Sequence, residues 1–216
     1  AGDPLIMEAT VKMCKEKGVA VGAHPGYPDL MGFGRRAMAV NPAEAKAYMI
    51  YQVGALQAFC DSYGVTLQHM KLHGAFYNTA CVTPALADAV LDGLQAVNPN
   101  IAAMVLSGSY IAKEAQRRGI PVIQEVFADR GYTDEGTLVP RTEPGAFIKD
   151  TQEALERVLM MVTEGKVITN TGNTIDIVAD SVCVHGDNPE AIAFTNYIRE
   201  GLTKAGVTVA NFQNRK

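Results

Sequence analysis

The chain holds 216 residues, enough for one domain or two at most and enough to bury roughly 70% of its unfolded surface without a metal or disulfide staple. Its 19 Lys and Arg against 23 Asp and Glu give a net charge of −4, which argues against a binder of phosphate backbones, and 48% apolar with 19% charged residues excludes a disordered chain. No apolar run approaches the ~20 residues of a membrane span, no leader pattern opens the chain, and Cys14, Cys60, Cys81 and Cys183 are too scattered for paired disulfides, so the expectation is a cytoplasmic protein with no nucleic-acid or membrane partner.

Asp3-Pro4 reads as an N-cap followed by Pro at the first helical position, opening a helix that ends at Lys17 before Gly18. Val19–Ala23 has strand length. Asn41-Pro42-Ala43-Glu44 has capping-box spacing and opens a helix that stops near Gly64. Strand-length runs follow at Val65–Leu72 and Ile101–Leu106, with a helix from Thr83-Pro84 to about Val97 between them. A helix near Ser109–Arg118 precedes the strand Val122–Phe127, and Asp150 caps a helix that ends before Gly165. A hairpin from Val167 to Val178 turns at Asn170-Thr171-Gly172-Asn173. The strand Ser181–His185, a helix from Asn188-Pro189 to before Gly206 and the strand Val207–Ala210 complete the chain. This alternation is the signature of an α/β fold with a parallel sheet. No linker or repeat divides residues 1–216, so a single domain is expected.

Side-chain parity separates an open sheet from a closed one. On Val65–His73 one face carries His69, Lys71 and His73; on Ser181–Asp187 one face carries Cys183, His185 and Asp187; on Val19–His24 one carries Ala20, Gly22 and His24. A doubly wound sheet is covered on both sides and wants two apolar faces, so these polar or small faces suit a barrel with six strands in this chain.

Chemistry-bearing residues collect where strands end: His24, then Lys71 and His73, Ser107, then Glu125, Asp129 and Arg130, and finally His185 and Asp187. Strand C-termini form the functional mouth of α/β architectures. Three of four histidines sit there, offering proton switches near neutral pH or neutral nitrogen ligands. His69 lies deeper and reads as a supporting group, and Cys183 as an inert thiol. The long segments His24–Arg36 and Ala128–Lys149 read as substrate loops, in which Arg35, Arg36, Arg130 and Arg141 offer bidentate donors to a carboxylate or phosphoryl group. No phosphate-binding or dinucleotide fingerprint is present.

At these residues the sequence resembles the LamB/YcsF family. The matching segments are Val21-Gly22-Ala23-His24-Pro25-Gly26-Tyr27-Pro28-Asp29 with Gly32-Phe33-Gly34-Arg35-Arg36, Lys71-Leu72-His73-Gly74-Ala75-Phe76-Tyr77-Asn78, Glu125-Val126-Phe127-Ala128-Asp129-Arg130-Gly131-Tyr132 with Leu138-Val139-Pro140-Arg141, and Cys183-Val184-His185-Gly186-Asp187. They run in family order over essentially the whole chain. The resemblance implies an irregular seven-stranded (β/α) barrel of the glycoside hydrolase and deacetylase type. It also implies ATP-dependent opening of the 5-oxoproline lactam to L-glutamate, with Mg²⁺ accompanying ATP, performed with separate B and C subunits. The family's opening strand, with an Asp-Leu-Asn-x-Asp-x-Gly-Glu motif, and a following Cys-Gly-Phe-His segment precede the Ala1-Gly2-Asp3-Pro4 at which this sequence starts, so the expected barrel lacks its first strand here.

The expected centre is therefore His24, Lys71, His73, Glu125, Asp129 and His185 on one rim. Arg35, Arg36, Asn78, Arg130, Arg141 and Asp187 would hold substrate. Water would attack an amide activated by phosphorylation, with His73, Glu125 or Asp129 as base. Phosphorylation would fall to the partner subunits. Two rival readings are a stand-alone metal-dependent hydrolase, with His24, His73, His185 and a carboxylate on a divalent cation, and a non-catalytic subunit that holds the lactam.

Overall fold

The computed structural model describes residues 2–185 and 191–212. The chain divides into two compact units, Ala1–Val105 with Tyr110–Val122, and Leu106–Ser109 with Ile123–Lys216.

In the first unit, α1 (Pro4–Lys17) starts where the Asp3 carboxylate accepts the Ile6 N–H at 2.9 Å and ends at Gly18, whose φ of 65° closes the last turn. β1 (Val21–Ala23) leads to α2 (Pro42–Ser62), capped by the reciprocal Asn41–Glu44 box, with bonds of 3.0 and 2.9 Å. β2 (Leu67–Met70), α3 (Gly74–Val82), α4 (Pro84–Val97), β3 (Ala102–Leu106) and α5 (Tyr110–Arg117) follow. β1 pairs with β2 and β2 with β3, both parallel, as the alternating pattern requires. α2 packs along α4, burying Met49 and Val53 of one and Val90 and Leu94 of the other. Fully burying each such side chain contributes roughly 1.5–3 kcal/mol.

In the second unit, β4 (Val122–Phe127) is followed by α6 (Thr151–Thr163), whose Asp150 cap accepts the Glu153 N–H at 2.8 Å. The expected hairpin forms as antiparallel β5 (Lys166–Ile168) and β6 (Thr174–Asp176). β7 (Ser181–Cys183) lies parallel to β4, with Glu125 opposite Ser181 and Phe127 opposite Cys183. α7 (Ala191–Lys204) packs Ile198 and Leu202 on Ala128, Ala154 and Val158. Among the described residues no single helix is long and apolar enough to cross a membrane.

The fold is α/β with parallel strands, and three expectations need correction. Val207–Ala210 forms no strand; the Val207 N–H bonds the Leu202 carbonyl at 2.9 Å and finishes the end of α7 instead. The strands expected over Val65–Leu72 and Ser181–His185 are shorter, freeing Lys71, His73 and His185 to lie past their ladders. α3 was not expected: its N-cap, His73, makes no side-chain capping bond, so it lacks the usual opening signal. Asp187 and the expected helix start at Asn188-Pro189 lie outside the described residues.

Candidate active site

In the first unit, the parallel pairing of β1 with β2 brings two strand ends side by side. The Lys71 N–H reaches the Ala23 carbonyl at 2.9 Å and the His73 N–H reaches Pro25 at 2.8 Å, so His24 and His73 meet although 49 residues separate them. Their rings stand edge to face with centroids 4.9 Å apart. His24 Nδ1 lies 2.7 Å from the Lys71 carbonyl and His24 Nε2 lies 3.0 Å from His73 Nδ1. His73 Nε2 lies 2.7 Å from the Phe33 carbonyl. Burial disfavours the charged imidazole and pushes His24 down to about 4. The Lys71 ammonium lies 5.9 Å from the centre of the Tyr77 ring.

The loop that carries Phe33 is tied by its own residues. Asp29 accepts from the Gly32 N–H at 2.9 Å and forms a two-pronged ion pair with Arg36, and the guanidinium holds that carboxyl down to about 2. Arg35 stacks on Phe33, 5.1 Å from its ring centre. Asn78 is exposed on α3. His69 turns away from the pair toward Gly22, where an added Cβ would sit 2.2 Å from its Nε2, and its Nδ1 bonds Gln68 at 3.1 Å. Burial lowers its pKa as well.

In the second unit, Asp129 and His185 form a dyad, with Nδ1 of His185 2.8 Å from Oδ2 of Asp129. The carboxylate fixes the proton on Nδ1 and leaves the lone pair on Nε2. An Arg141 nitrogen, which can only donate, lies 3.5 Å from that Nε2. The imidazole stacks on Phe127 at 5.9 Å. The other oxygen of Asp129 is buried without a hydrogen-bond partner. Asp129, Arg141 and His185 line a cavity of about 820 Å³ together with Phe147, Lys149 and Tyr197.

The long segment after β4 is internally built rather than irregular. Arg130 is 3% exposed and donates to the carbonyls of Ala146 (2.9 Å) and Val139 (2.6 Å), which gives its guanidinium a scaffolding task. A Cβ on Gly131 would sit 2.0 Å from the Gly145 carbonyl, so this crossing needs a glycine. Glu125 is 1% exposed and lies beneath the strand end. Phe147 receives both Arg130 and Arg141, 5.3 and 5.2 Å from its ring centre. Sequence reasoning missed Phe147 and Tyr197; an aromatic six residues after Arg141 was the available signal for the first, and none marked the second.

The structure thus joins His24 with His73 in one unit, and Asp129 with His185 and Arg141 in the other. Among the described residues no three His, Cys, Asp or Glu side chains group to hold a metal ion, and both ring nitrogens of His24 and of His73 are occupied by hydrogen bonds.

Comparison with known proteins gives this arrangement a family. The chain is 60% identical over 209 residues to the 5-oxoprolinase A subunit of Fusobacterium nucleatum, covering 97% of this chain and 81% of that protein. It is 51% identical to the 5-oxoprolinase A subunit of Pyrococcus abyssi, covering 97% and 82%. The crystal structure of a lactam utilization protein from Thermus thermophilus superposes with a TM-score of 0.89 at 43% identity, covering 98% of this chain and 85% of that one. The LamB/YcsF family model matches residues 1–216, and the chain belongs to the LamB/YcsF family.

Proposed function

We propose that the chain is the lactam-opening component of an ATP-dependent 5-oxoprolinase that works with separate B and C subunits. The observation that carries this reading is the Asp129–His185 dyad, whose ring lines a cavity with its Nε2 3.5 Å from an Arg141 nitrogen. Support comes from relatives named as 5-oxoprolinase A subunits and from the neighbour named for lactam utilization.

The chemistry fits these groups. Opening 5-oxoproline adds one water across the ring amide: a C–O bond forms, the C–N bond breaks, and the nitrogen leaves as the amine of glutamate. His185 Nε2 takes a proton from the attacking water, and Asp129 stabilises the imidazolium that results. Arg141 meets the substrate carboxylate with a planar pair of donors, and Phe147 supports the guanidinium from behind.

Amide resonance makes the lactam a poor electrophile, which is the reason for ATP. At the start of α6, which borders the cavity at Thr151, the Asp150 carboxylate already takes the Glu153 N–H and adds a negative charge where a phosphate would sit. The ATP-consuming step falls to the other subunits.

The test is glutamate release from 5-oxoproline and ATP by the full-length protein mixed with its B and C subunits. His185→Gln keeps the size of the ring without its basic nitrogen, and turnover is expected to fall about 10²–10⁴-fold. Turnover within a factor of two of the parent removes His185 as base. Absence of glutamate with all three subunits present removes the lactam reading itself.

A further inference from the structure

We propose that Arg130 is a positioning residue for Arg141: it holds the loop that carries Arg141, and through that loop sets how tightly the cavity takes a carboxylate. The inference rests on the lactam reading for its substrate. It gives a task in the reaction to a buried guanidinium that touches no substrate.

The donors of Arg130 go to two carbonyls. Its Nε reaches the Ala146 oxygen at 2.9 Å and its Nη2 the Val139 oxygen at 2.6 Å. These carbonyls are the two ends of one loop, 139–146, with Arg141 just inside the first end and Phe147 just past the second. One planar fork therefore closes the loop. The backbone ties the same ends to the chain beside Arg130. The Gly131 N–H donates to Ala146 at 3.2 Å, the Val139 N–H to Gly131 at 3.0 Å, and the Ile148 N–H to Asp129 at 3.0 Å. Inside the loop the Glu143 N–H donates to the Pro140 carbonyl at 2.9 Å, and Pro140 fixes φ one residue before Arg141.

The Phe147 ring is the second link. The Arg130 guanidinium carbon lies 5.3 Å from its centre and that of Arg141 5.2 Å. Two guanidinium groups repel, so attraction between them does not bring Arg141 there. The repulsion is felt at Arg130, whose pKa is lowered first by burial and then by Arg141. Arg141 is exposed and 3.5 Å from His185 Nε2. A long exposed side chain spreads over many rotamers unless a surface holds it, and the pinned loop with its ring supplies that surface. Lysine at position 130 keeps the charge but offers a point donor in place of a fork, so the spacing of the loop ends is no longer set. Arg141 meets the carboxylate alike before and during ring opening, so misplacing it weakens binding without slowing bound substrate.

The test reads KM and kcat for glutamate release from 5-oxoproline by the full-length protein with its B and C subunits. Arg130→Lys is expected to raise KM about 10-fold with kcat kept within about a factor of three. Arg141→Lys is expected to do the same, and adding Arg130→Lys to it to raise KM less than about twofold further, because residues acting through one another are not additive. A KM within about twofold of the parent in Arg130→Lys, or a full further rise of about 10-fold in the double variant, overturns the proposal. So does a fall in kcat at constant KM, which is what a merely structural loss of active enzyme gives. Should Arg130→Lys not fold, Phe147→Leu removes the ring and carries the same comparison with Arg141→Lys, with the same outcomes. Crystal structures of the parent and of whichever variant folds read the link without turnover. The Arg141 guanidinium is expected to move from its place beside His185 by more than about 1 Å, and an unmoved Arg141 overturns the positioning. Absence of glutamate from the parent complex sinks the lactam reading and leaves the crystallographic result to decide Arg130, so the two failures are distinguishable.

Discussion

Tyr132 shows how one atom can hold a site in shape. Its side chain is fully buried, and its hydroxyl accepts the Phe127 N–H at 2.9 Å, at the residue whose ring stacks on His185. Burial raises its pKa, so the hydroxyl stays protonated through the physiological range. Tyr132→Phe removes this buried hydrogen bond to the Phe127 N–H, and a loss of roughly 1–3 kcal/mol is expected in urea unfolding. A loss below about 0.5 kcal/mol would show that water or a backbone shift replaces the hydroxyl. The Tyr132 role was not legible in the sequence, because a tyrosine in a long loop carries no periodic signal. His24, His73, Asp129 and His185 were legible, because strand ends are marked by the apolar runs before them. Which histidine meets which partner was not, since strand pairing sets it. Nor was the scaffolding task of Arg130, since a guanidinium that satisfies carbonyls reads the same in sequence as one that awaits an anion.

At the scale of elements, α2 and α4 approach closely because Gly93 has no side chain. A Cβ there would sit 2.6 Å from that of Met49 and 3.0 Å from the Lys46 carbonyl. Gly93→Ala should therefore destabilise the chain by about 1–3 kcal/mol, although alanine is the better helix former by up to ~1 kcal/mol in an open position. Thermal unfolding checks the sign, and a rise in midpoint would mean that the helices separate freely. Helix starts were the most legible part of the fold. Asp3, Asn41 and Asp150 each accept the backbone N–H three residues on, as their spacing to the apolar pattern requires. α3 escaped because it begins at His73 and at Gly74, whose φ is 56°, with neither a side-chain cap nor a polar break before it. Val207–Ala210 misled for the opposite reason. Alternation and length describe a strand, but only a neighbouring edge makes one, and here the run closes a helix.

For the whole molecule, the shifted histidines and carboxylates set a common direction for stability in the acid range, and burial lowers His69 along with His24. His24 falls from 6.5 to about 4 through burial. Asp29 falls from 3.8 to about 2 beside Arg36, and Glu114 from 4.5 to about 2 beside Arg117 and Arg118. Asp134 is lowered by hydrogen bonds from Thr169, Thr171 and Asn173. Each group binds its proton less readily when folded, so within its interval the unfolded chain holds more protons and stability rises with pH. The histidine contribution is complete above 6.5 and is lost as pH falls through about 4. The carboxylate contribution is complete above about 4.5 and is lost as pH falls through about 2. Urea midpoints measured from about pH 7.5 to about pH 2 should therefore fall in two stages. Arg36→Gln combined with Arg117→Gln and Arg118→Gln removes the partners that lower Asp29 and Glu114, so it should flatten the lower stage and leave the upper one in place, whereas His24→Ala should shrink the upper stage, which His69 shares. A single step below about pH 4.5 in the parent chain would show that His24 and His69 titrate as they do in the unfolded state, and that burial does not govern their charge.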